Sequence, residues 1–109
     1  MRVMEFLNYK QRPYTNVTVR KGYKWADLKI GETISLAKGT DIIETAWVKQ
    51  VVVKRFCDIK PEDIKREHDP SCTTRNGLYR SMIKTYLFFG KQLPVTIVTY
   101  VRPTKKAFN

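Results

Sequence analysis

Short apolar runs separated by turn residues dominate the chain and predict a mainly β protein. The first clear strand is 16–20, in which two valines alternate with polar residues. A second strand is predicted at 33–36, followed by a turn at 37–41 because Gly and Asp tolerate left-handed conformations. The next strand, 43–56, has valines too dense for clean alternation, which indicates a bulge or burial on both faces. The last strand is 95–101, rich in Val, Ile and Thr.

Two short helices are predicted between the third and last strands. The segment 58–67 carries Pro61 in its first turn, followed by two acids where the helix dipole favours them. The second helix is predicted at 76–88. Its apolar stripe comprises Leu78, Met82, Ile83, Tyr86 and Leu87. Strands at both ends with a helical insertion predict the α+β class, mainly β with helices, as a small antiparallel barrel or curled sheet covered on one side.

The length of 109 residues is near the commonest size of one domain. We expect a single domain over 1–109 that ends in a disordered basic tail at 103–109. The opening apolar patch is very short and contains an acid, so we expect a cytoplasmic protein with no signal peptide and no membrane partner. Cys57 and Cys72 are expected to be reduced thiols. With the single His68 they leave a zinc site one ligand short, so no metal and no cofactor is expected.

A basic aromatic loop at 21–25 follows the first strand and carries the candidate chemistry. Alternation places Thr18 and Arg20 on one face, so that a hydroxyl and a guanidinium point the same way. The loop adds Lys21, Tyr23, Lys24 and Trp25. An arginine fork beside a hydroxyl, rimmed by lysines and rings, suits a nucleotide or another planar anion. Trp25 has a second interpretation as a core residue at the barrel mouth, because large aromatic residues are usually buried.

The charge is large and unevenly distributed. Lys and Arg number 21 against 10 acids, which gives a net charge of +11. No acid occurs between Phe6 and Ala26, a segment that contains Lys10 and Arg12, and none follows Asp69. Such a surface attracts phosphates over about 8 Å at physiological salt, although a basic balance also favours solubility alone. Because aromatic residues interleave with the cations and can stack on bases, we predict an RNA or nucleotide partner, with Lys10 and Arg12 extending the basic track.

Several short motifs follow one another in a definite order. They are a Thr-x-Arg strand at 18–20, the basic loop, an Ile-Gly-Glu turn at 30–32, the Val-rich strand, an Ile-x-Pro-Glu-Asp helix at 59–63, the run Glu-His-Asp-Pro at 67–70, a Gly-Leu helix start at 77–78 and a final Val-Thr-Ile-Val strand at 95–98. This order resembles the ASCH domain family over roughly residues 15–101. The resemblance implies a PUA-like mixed β-barrel with two short helices, and a cleft between them that binds RNA or modified nucleosides.

The resemblance also leaves an enzymatic activity open. Some bacterial members of the family are amidohydrolases that act on N4-acetylcytidine, and others have been described as ribonucleases. The amidohydrolases use a threonine nucleophile in a Lys-x-x-Thr-x-Arg strand, a lysine base and a distal glutamate. Thr18 and Arg20 match this strand, whereas Thr15 occupies the lysine position, which leaves the hydroxyl without an evident base. The distal acid corresponds to Glu67 or Asp69, and the sequence does not distinguish them.

The sequence therefore predicts a domain that binds RNA or a modified nucleoside, in which Arg20, Lys21 and Lys24 hold phosphate or a base edge and a loop aromatic stacks on a base. Arg20 has an alternative interpretation as a structural fork that pairs with Glu67 or Asp69 inside the cleft. The first alternative function is a hydrolase acting on RNA or N4-acetylcytidine through the threonine nucleophile. The second is a protein-interaction module for an acidic partner.

Overall fold

The computed structural model describes residues 1–108, which form a five-stranded mixed sheet with two short α-helices. The strands are β1 (Val3–Phe6), β2 (Thr15–Lys21), β3 (Thr33–Lys38), β4 (Asp41–Arg55) and β5 (Pro94–Val101), and the helices are α1 (Pro61–Ile64) and α2 (Arg75–Thr85). The order across the sheet is β1-β3-β4-β5-β2, with β1 parallel to β3 and the other pairs antiparallel. The predicted α+β class, a curled mixed sheet with two short helices, is confirmed.

The bulge predicted in the Val-rich strand lies in β4. The pairing of β4 with β5 shifts register between Val48 and Gln50. A second shift occurs in the pairing of β3 with β4, between Leu36 and Ala37. A bulge bends its strand and increases the local twist. These irregularities therefore allow the long β4 to curve while it pairs with β3 on one side and β5 on the other.

Two hydrophobic cores lie on opposite faces of the sheet, and β5 contributes to both. Val98 and Tyr100 belong to the first core, whereas Val95 and Ile97, one residue out of phase, belong to the second. The first core comprises Met4, Phe6, Tyr9, Trp25, Leu28, Ile34, Leu36, Ala46, Val48, Val98 and Tyr100. The second core comprises Val17, Val19, Phe56, Ile59, Ile64, Cys72, Leu78, Met82, Val95 and Ile97, and packs the helices onto the sheet. Val101, at the end of β5, is only half-buried.

The pattern of apolar residues did not predict β1. It has four residues, includes the exposed Glu5, and pairs in parallel with β3 from Val3 opposite Ser35 to Phe6 opposite Lys38. The strand is therefore specified by its partner rather than by its own sequence. Its position matters because Phe6 and the residues after it lie beside the candidate site.

The first predicted helix, 58–67, is shorter in the structure. Only Pro61–Ile64 is α-helical, after a 3-10 turn over Phe56–Asp58. The Asp63 carboxylate accepts hydrogen bonds from the Lys60 backbone amide at 2.8 Å and from Lys54 Nζ at 2.8 Å. These contacts stabilise a single helical turn, after which the chain extends to pair with β2.

The second predicted helix, 76–88, ends earlier, at Thr85. Its start is capped by Thr74, whose hydroxyl accepts a hydrogen bond from the Gly77 amide at 3.1 Å. Ile83 and Leu87, assigned to the buried stripe by the sequence, are instead exposed. The reason is that the helix packs only through its first two turns, and the chain leaves the helical path before Leu87.

The end of the chain packs on the sheet at Phe108. Phe108 and Gln11 exchange two backbone hydrogen bonds, at 2.6 and 2.9 Å, and the Phe108 ring lies 5.2 Å from that of Tyr9. The sequence predicted a disordered tail over 103–109, of which Asn109 lies outside the described residues. Within residues 1–108, no helix has the length and apolar character needed to cross a membrane. Cys57 and Cys72 are free thiols.

Candidate functional site

Two adjoining cavities lie between β2, the residues around the end of β1, and α2. The inner pocket has a volume of about 110 Å³, and its polar lining includes Asn8, Thr18, Arg20, Glu67, His68, Asp69 and Ser81. The outer hollow has a volume of about 440 Å³, and its lining includes Arg20, Lys21, Lys24 and Trp25. Six residues line both cavities, namely Glu5, Phe6, Leu7, Arg20, Thr85 and Tyr86. The cavities therefore form one cleft, polar inside and basic outside.

Arg20 lies at the junction of the two cavities. Its Nε donates a hydrogen bond to the Thr18 hydroxyl at 3.1 Å, and its Nη1 donates to the Glu5 carbonyl at 2.8 Å. Its guanidinium carbon is 4.7 Å from the centroid of the Phe6 ring. Burial lowers the pKa of Arg20 from its ordinary value, because the surroundings remove water from the charged group. The predicted common face of Thr18 and Arg20 is present, and the guanidinium is held in a fixed orientation.

Arg20 pairs with no carboxylate among the described residues. The sequence left open a structural fork with Glu67 or Asp69 as an alternative interpretation of Arg20, but none of the ion pairs within residues 1–108 involves Arg20. A hydroxyl, a carbonyl and an aromatic ring hold the guanidinium instead. Its positive charge faces the cleft without a neutralising partner at hydrogen-bonding distance.

Glu67 is placed at the inner pocket by the edge of β2. Val17 donates a backbone hydrogen bond to the Arg66 carbonyl at 3.0 Å and accepts one from the His68 amide at 2.9 Å. This bridge buries Glu67, which is 3% exposed, and its Oε2 accepts a hydrogen bond from the Asp69 amide at 2.7 Å. Burial raises the pKa of Glu67 to about 8, because an ionised carboxylate would lose its hydration there. At neutral pH the Glu67 carboxyl therefore carries a proton.

The contacts of His68 indicate where the proton of the Glu67 carboxyl lies. Its Nε2 is 3.2 Å from Glu67 Oε1, and its Nδ1 is 2.8 Å from the Lys10 carbonyl oxygen. Burial lowers the pKa of His68 to about 4, so the ring is neutral at pH 7. A neutral ring that donates from Nδ1 to the carbonyl accepts at Nε2, which matches a protonated Glu67 as the donor. Both ring nitrogens are thus occupied.

Asp69 has a structural role in holding the chain around the inner pocket. Its Oδ1 accepts hydrogen bonds from the Ser71 amide at 3.0 Å and hydroxyl at 2.9 Å, which caps the 3-10 turn over Pro70–Cys72. Its Oδ2 accepts from the Asn8 amide nitrogen at 3.0 Å. Although burial acts to raise its pKa, these hydrogen bonds lower it from its ordinary value. The structure therefore distinguishes the two acids: Asp69 is an ionised cap, whereas Glu67 is a protonated group at the pocket.

Thr18 is buried and lines the inner pocket, where its hydroxyl accepts the hydrogen bond from Arg20. No lysine lines this pocket in the part of the chain that the structure describes. Lys21, the nearest lysine along the chain, donates from Nζ to the Leu87 carbonyl at 3.1 Å. A hydroxyl in this setting lacks the amine that would activate it as a nucleophile.

The basic loop lies over the outer hollow. Gly22 has a φ of +77°, a left-handed conformation that suits glycine and turns the chain after β2. Lys21 and Lys24 line the hollow, whereas Tyr23 is 65% exposed and points into solvent. Trp25 belongs to the first core and also lines the hollow, in line with the second of its two interpretations.

Cations cover the Trp25 ring. The Arg2 guanidinium carbon lies 4.4 Å from the ring centroid, and Lys24 Nζ lies 5.5 Å from it. Arg2 also donates to the Asp27 carboxylate at 2.7 Å, and this hydrogen bond lowers the pKa of Asp27. Trp25 therefore supports the wall of the hollow, and Tyr23 is the loop aromatic with an exposed ring.

Lys10 and Arg12 line neither cavity. The Arg12 Nε donates to the Glu67 carbonyl oxygen at 2.9 Å, and Lys10 Nζ is 4.0 Å from Asp69 Oδ1. The predicted extension of the basic track through these two residues therefore lies behind the inner pocket rather than along the outer hollow. Both side chains support the segment that carries the two acids.

Several lining residues of the inner pocket were missed by the sequence analysis, among them Phe6, Asn8, Cys72, Ser81 and Tyr86. They come from three separate segments that meet only after folding. No pattern in the sequence marks them, apart from the position of Tyr86 on the predicted helix stripe. Within residues 1–108, no group of three or more His, Cys, Asp or Glu side chains is arranged to hold a metal ion.

Comparison with known proteins gives a structural likeness and no match by sequence. No family model matches the chain, and no curated protein matches it. An ASCH domain from Lactobacillus crispatus JV V101 is similar in structure, with a TM-score of 0.52 and 10% identity over 79% of this chain and 63% of that one. A protein of Enterococcus faecalis V583 from the family DUF984 is also similar, with a TM-score of 0.60 and 12% identity over 85% of this chain and 62% of that one.

These likenesses show an ASCH-like fold, as the order of motifs predicted. At 10% and 12% identity they concern the fold alone. The chain spans 63% and 62% of the lengths of the two similar structures. The function of the cleft has to be argued from its own residues.

Proposed function

We propose that the protein binds RNA, or a modified nucleoside within it, in the cleft formed by the inner pocket and the outer hollow. The observation that carries the proposal is Arg20, a fixed guanidinium without a carboxylate partner at the junction of the two cavities. A desolvated cation of this kind favours an anion, and a planar guanidinium fits phosphate or the acceptor edge of a base.

The dimensions of the cleft support a nucleotide as the bound unit. Ligand pockets commonly have volumes of about 300–1,000 Å³, a range that contains the outer hollow of about 440 Å³ but not the inner pocket of about 110 Å³. We infer that a nucleotide occupies the outer hollow, with Lys21 and Lys24 near its phosphates. Part of the base then reaches the inner pocket.

The inner pocket is suited to the edge of a base. Asn8 and Ser81 supply hydrogen-bonding groups, while Val19 and Met82 supply apolar walls. Because Glu67 is neutral at pH 7 and its proton is shared with His68, it lines the pocket without repelling an anionic ligand. Recognition of a base edge is how proteins select single-stranded RNA.

The proposal is tested by measuring binding of a short single-stranded oligoribonucleotide by fluorescence anisotropy as salt is varied. With three cations at the cleft, we expect a slope of log K against log salt of about −2, since each neutralised phosphate contributes about −0.7 on single strands. The variant Arg20→Met should weaken binding by about 10- to 100-fold, the equivalent of one charge-assisted hydrogen-bonding group of about 1.5–3 kcal/mol.

The matched control is Arg66→Met, which removes the same charge from an exposed position that lines neither cavity. It should reduce affinity by no more than its share of long-range attraction, and less as salt is raised. Equal losses in the two variants, or binding that does not respond to salt, would mean that the cleft is not the RNA site.

The hydrolytic alternative has one observation in its favour, since Thr18 and the protonated Glu67 line the same pocket. We expect no turnover of N4-acetylcytidine or of labelled RNA, because the Thr18 hydroxyl has no amine base and Arg20 holds its oxygen. Turnover by the wild-type protein that disappears in Thr18→Ala would instead establish an enzyme.

A further inference from the structure

We propose that the exposed segment after α2, formed by Leu87 and Phe88, is a second contact for the same ligand. The Phe88 ring stacks on a base next to the nucleotide in the cleft. This inference rests on the proposed RNA-binding function and narrows its substrate class. The ligand would be single-stranded RNA of more than one nucleotide rather than a free nucleoside.

Phe88 is unusual in both exposure and backbone conformation. Its side chain is 83% exposed, and its φ is 60°, in the left-handed region that bulky residues rarely adopt. Chains commonly take this conformation just after a helix, where glycine is the usual residue. Neither packing nor backbone preference therefore favours a phenylalanine here.

The residues next to Phe88 explain its left-handed backbone conformation, but they do not explain why an aromatic side chain occupies this position. The Phe89 ring packs against Phe56 at 5.4 Å and Tyr79 at 6.0 Å, and its centroid is 6.4 Å from that of Tyr86. Helix α2 ends at Thr85, just before these residues. The chain must then turn sharply so that both Tyr86 and Phe89 pack against the second core. A glycine at position 88 would allow the same turn, so the fold gives no reason for an aromatic ring in solvent.

The segment is attached to the rim of the cleft. Thr85 and Tyr86, which immediately precede it, line both cavities. Lys21, which lines the outer hollow, donates from Nζ to the Leu87 carbonyl at 3.1 Å and so ties the segment to the end of β2. The residue with the exposed ring thus directly follows the backbone carbonyl that binds Lys21. Cations beside exposed rings are the combination by which proteins bind single strands.

A lipid surface is the other partner that exposed apolar residues among cations can bind. The observations favour RNA, because Arg20, Lys21 and Lys24 line a hollow that a nucleotide can enter and a flat bilayer cannot. An anionic membrane is therefore an outcome of the test rather than a second proposal.

The test compares two ligands, a ribonucleoside monophosphate and a single-stranded hexaribonucleotide, in wild-type protein and in variants. We expect Phe88→Ala to lower the affinity for the hexanucleotide about tenfold, within the range of one lost base–aromatic stack. The affinity for the mononucleotide should not change, because that ligand does not reach Phe88. Phe88→Trp should retain the wild-type affinity for the hexanucleotide.

Two further variants separate binding from folding. Phe88→Gly relieves the positive φ and should raise the melting temperature while losing the same tenfold in affinity for the hexanucleotide. Ile30→Ala removes an exposed apolar side chain that lines neither cavity of the cleft and should leave both affinities unchanged.

The failures are distinguishable. If the wild-type protein binds both ligands and Phe88→Ala binds them equally well, the inference about Phe88 is wrong and the proposed function stands. If the wild-type protein binds neither ligand, the proposed function fails and this inference fails with it. If Phe88→Ala retains hexanucleotide binding but no longer sediments with vesicles of phosphatidylserine and phosphatidylcholine, the segment contacts membrane instead.

Discussion

Two arginines show how the same side chain serves structure in one region and the candidate site in another. Arg102 is fully buried; its Nε donates to Glu44 Oε2 at 2.8 Å, and its Nη1 donates to the Arg12 carbonyl at 2.6 Å. Arg20 is half-buried, donates to the Thr18 hydroxyl and a backbone carbonyl, and has no carboxylate partner in the part of the chain that the structure describes. The first arginine completes an ion pair, whereas the second lies beside a cavity.

The difference teaches that burial alone does not identify a binding residue. Both guanidinium groups lie close to an aromatic ring, Phe108 at 5.1 Å for Arg102 and Phe6 at 4.7 Å for Arg20. What distinguishes them is the compensation of charge. A buried cation that the protein neutralises is part of the fold, and one that it leaves unneutralised at a cavity is suited to an anionic ligand.

The largest expected effect is on stability at Arg102. The variant Arg102→Met removes the buried cation of the ion pair with Glu44. Of the two side chains that donate to the Glu44 carboxylate, only the Tyr9 hydroxyl then remains. We expect the free energy of unfolding to fall by about 3–5 kcal/mol, measured by urea denaturation.

The same change at Arg20 is the matched control. Because Arg20→Met removes a desolvated charge that has no carboxylate partner, the free energy of unfolding should change by no more than about 1 kcal/mol. RNA binding should be weakened in Arg20→Met. It should be retained by the folded fraction of Arg102→Met. Equal destabilisation of the two variants would abolish the distinction between them.

The next effect is a dependence of stability on pH that belongs to the site alone. The folded-state pKa of Glu67, about 8, exceeds its ordinary value of 4.5, so between these values the folded state binds more protons and stability falls as pH rises. The folded-state pKa of His68, about 4, lies below its ordinary value of 6.5, so stability rises with pH between those values.

The two effects oppose each other from pH 4.5 to 6.5, and only that of Glu67 remains above. We expect the free energy of unfolding to decrease between pH 6.5 and 8 by up to about 1.4 kcal/mol per pH unit, measured by urea denaturation at each pH. Glu67→Gln should remove this decrease. His68→Gln should extend it downward to about pH 4.5. A wild-type stability that does not fall above pH 6.5 would show that Glu67 is ionised in the folded protein.

The smallest expected effect on stability comes from Phe108, whose ring lies against the Arg102 guanidinium. Phe108→Ala removes a ring that contacts Tyr9 and Arg102, and we expect a loss of about 1 kcal/mol, as for one aromatic or cation–π contact. Thermal denaturation with Lys105→Ala as an exposed neighbouring control measures it. No loss would show that the backbone pairing with Gln11 alone holds this segment.

Much of the fold was predictable because local patterns specify it. The alternation in β2, the valines of β4 and the composition of β5 each predicted a strand, and Gly39, with a φ of +58°, occupies the predicted hairpin turn. The two helices were predicted in position but too long. Their ends depend on where the chain must leave to pair with β2 or to bury Phe89, which local propensity does not record.

The candidate site was predictable in part. The common face of Thr18 and Arg20 follows from the period of two, and the sequence therefore placed a hydroxyl beside a guanidinium. It did not separate Glu67 from Asp69, because the difference arises from the bridge that buries Glu67 against β2 and from the hydrogen bond that Asp69 receives from Asn8, both of which join distant segments. It also left open a pairing of Arg20 with Glu67 or Asp69, which none of the ion pairs within residues 1–108 shows.

By itself, the sequence determined the strands with strong alternation, the excess of positive charge and the face on which Thr18 and Arg20 lie, because each depends on neighbouring residues or on composition. Tertiary structure alone decided the parallel pairing of β1, the raised pKa of Glu67 and the absence, over residues 1–108, of a carboxylate paired with Arg20. These features depend on groups from separate segments that exclude water from one another and neutralise one another's charge. The groups come together only when the whole chain has folded.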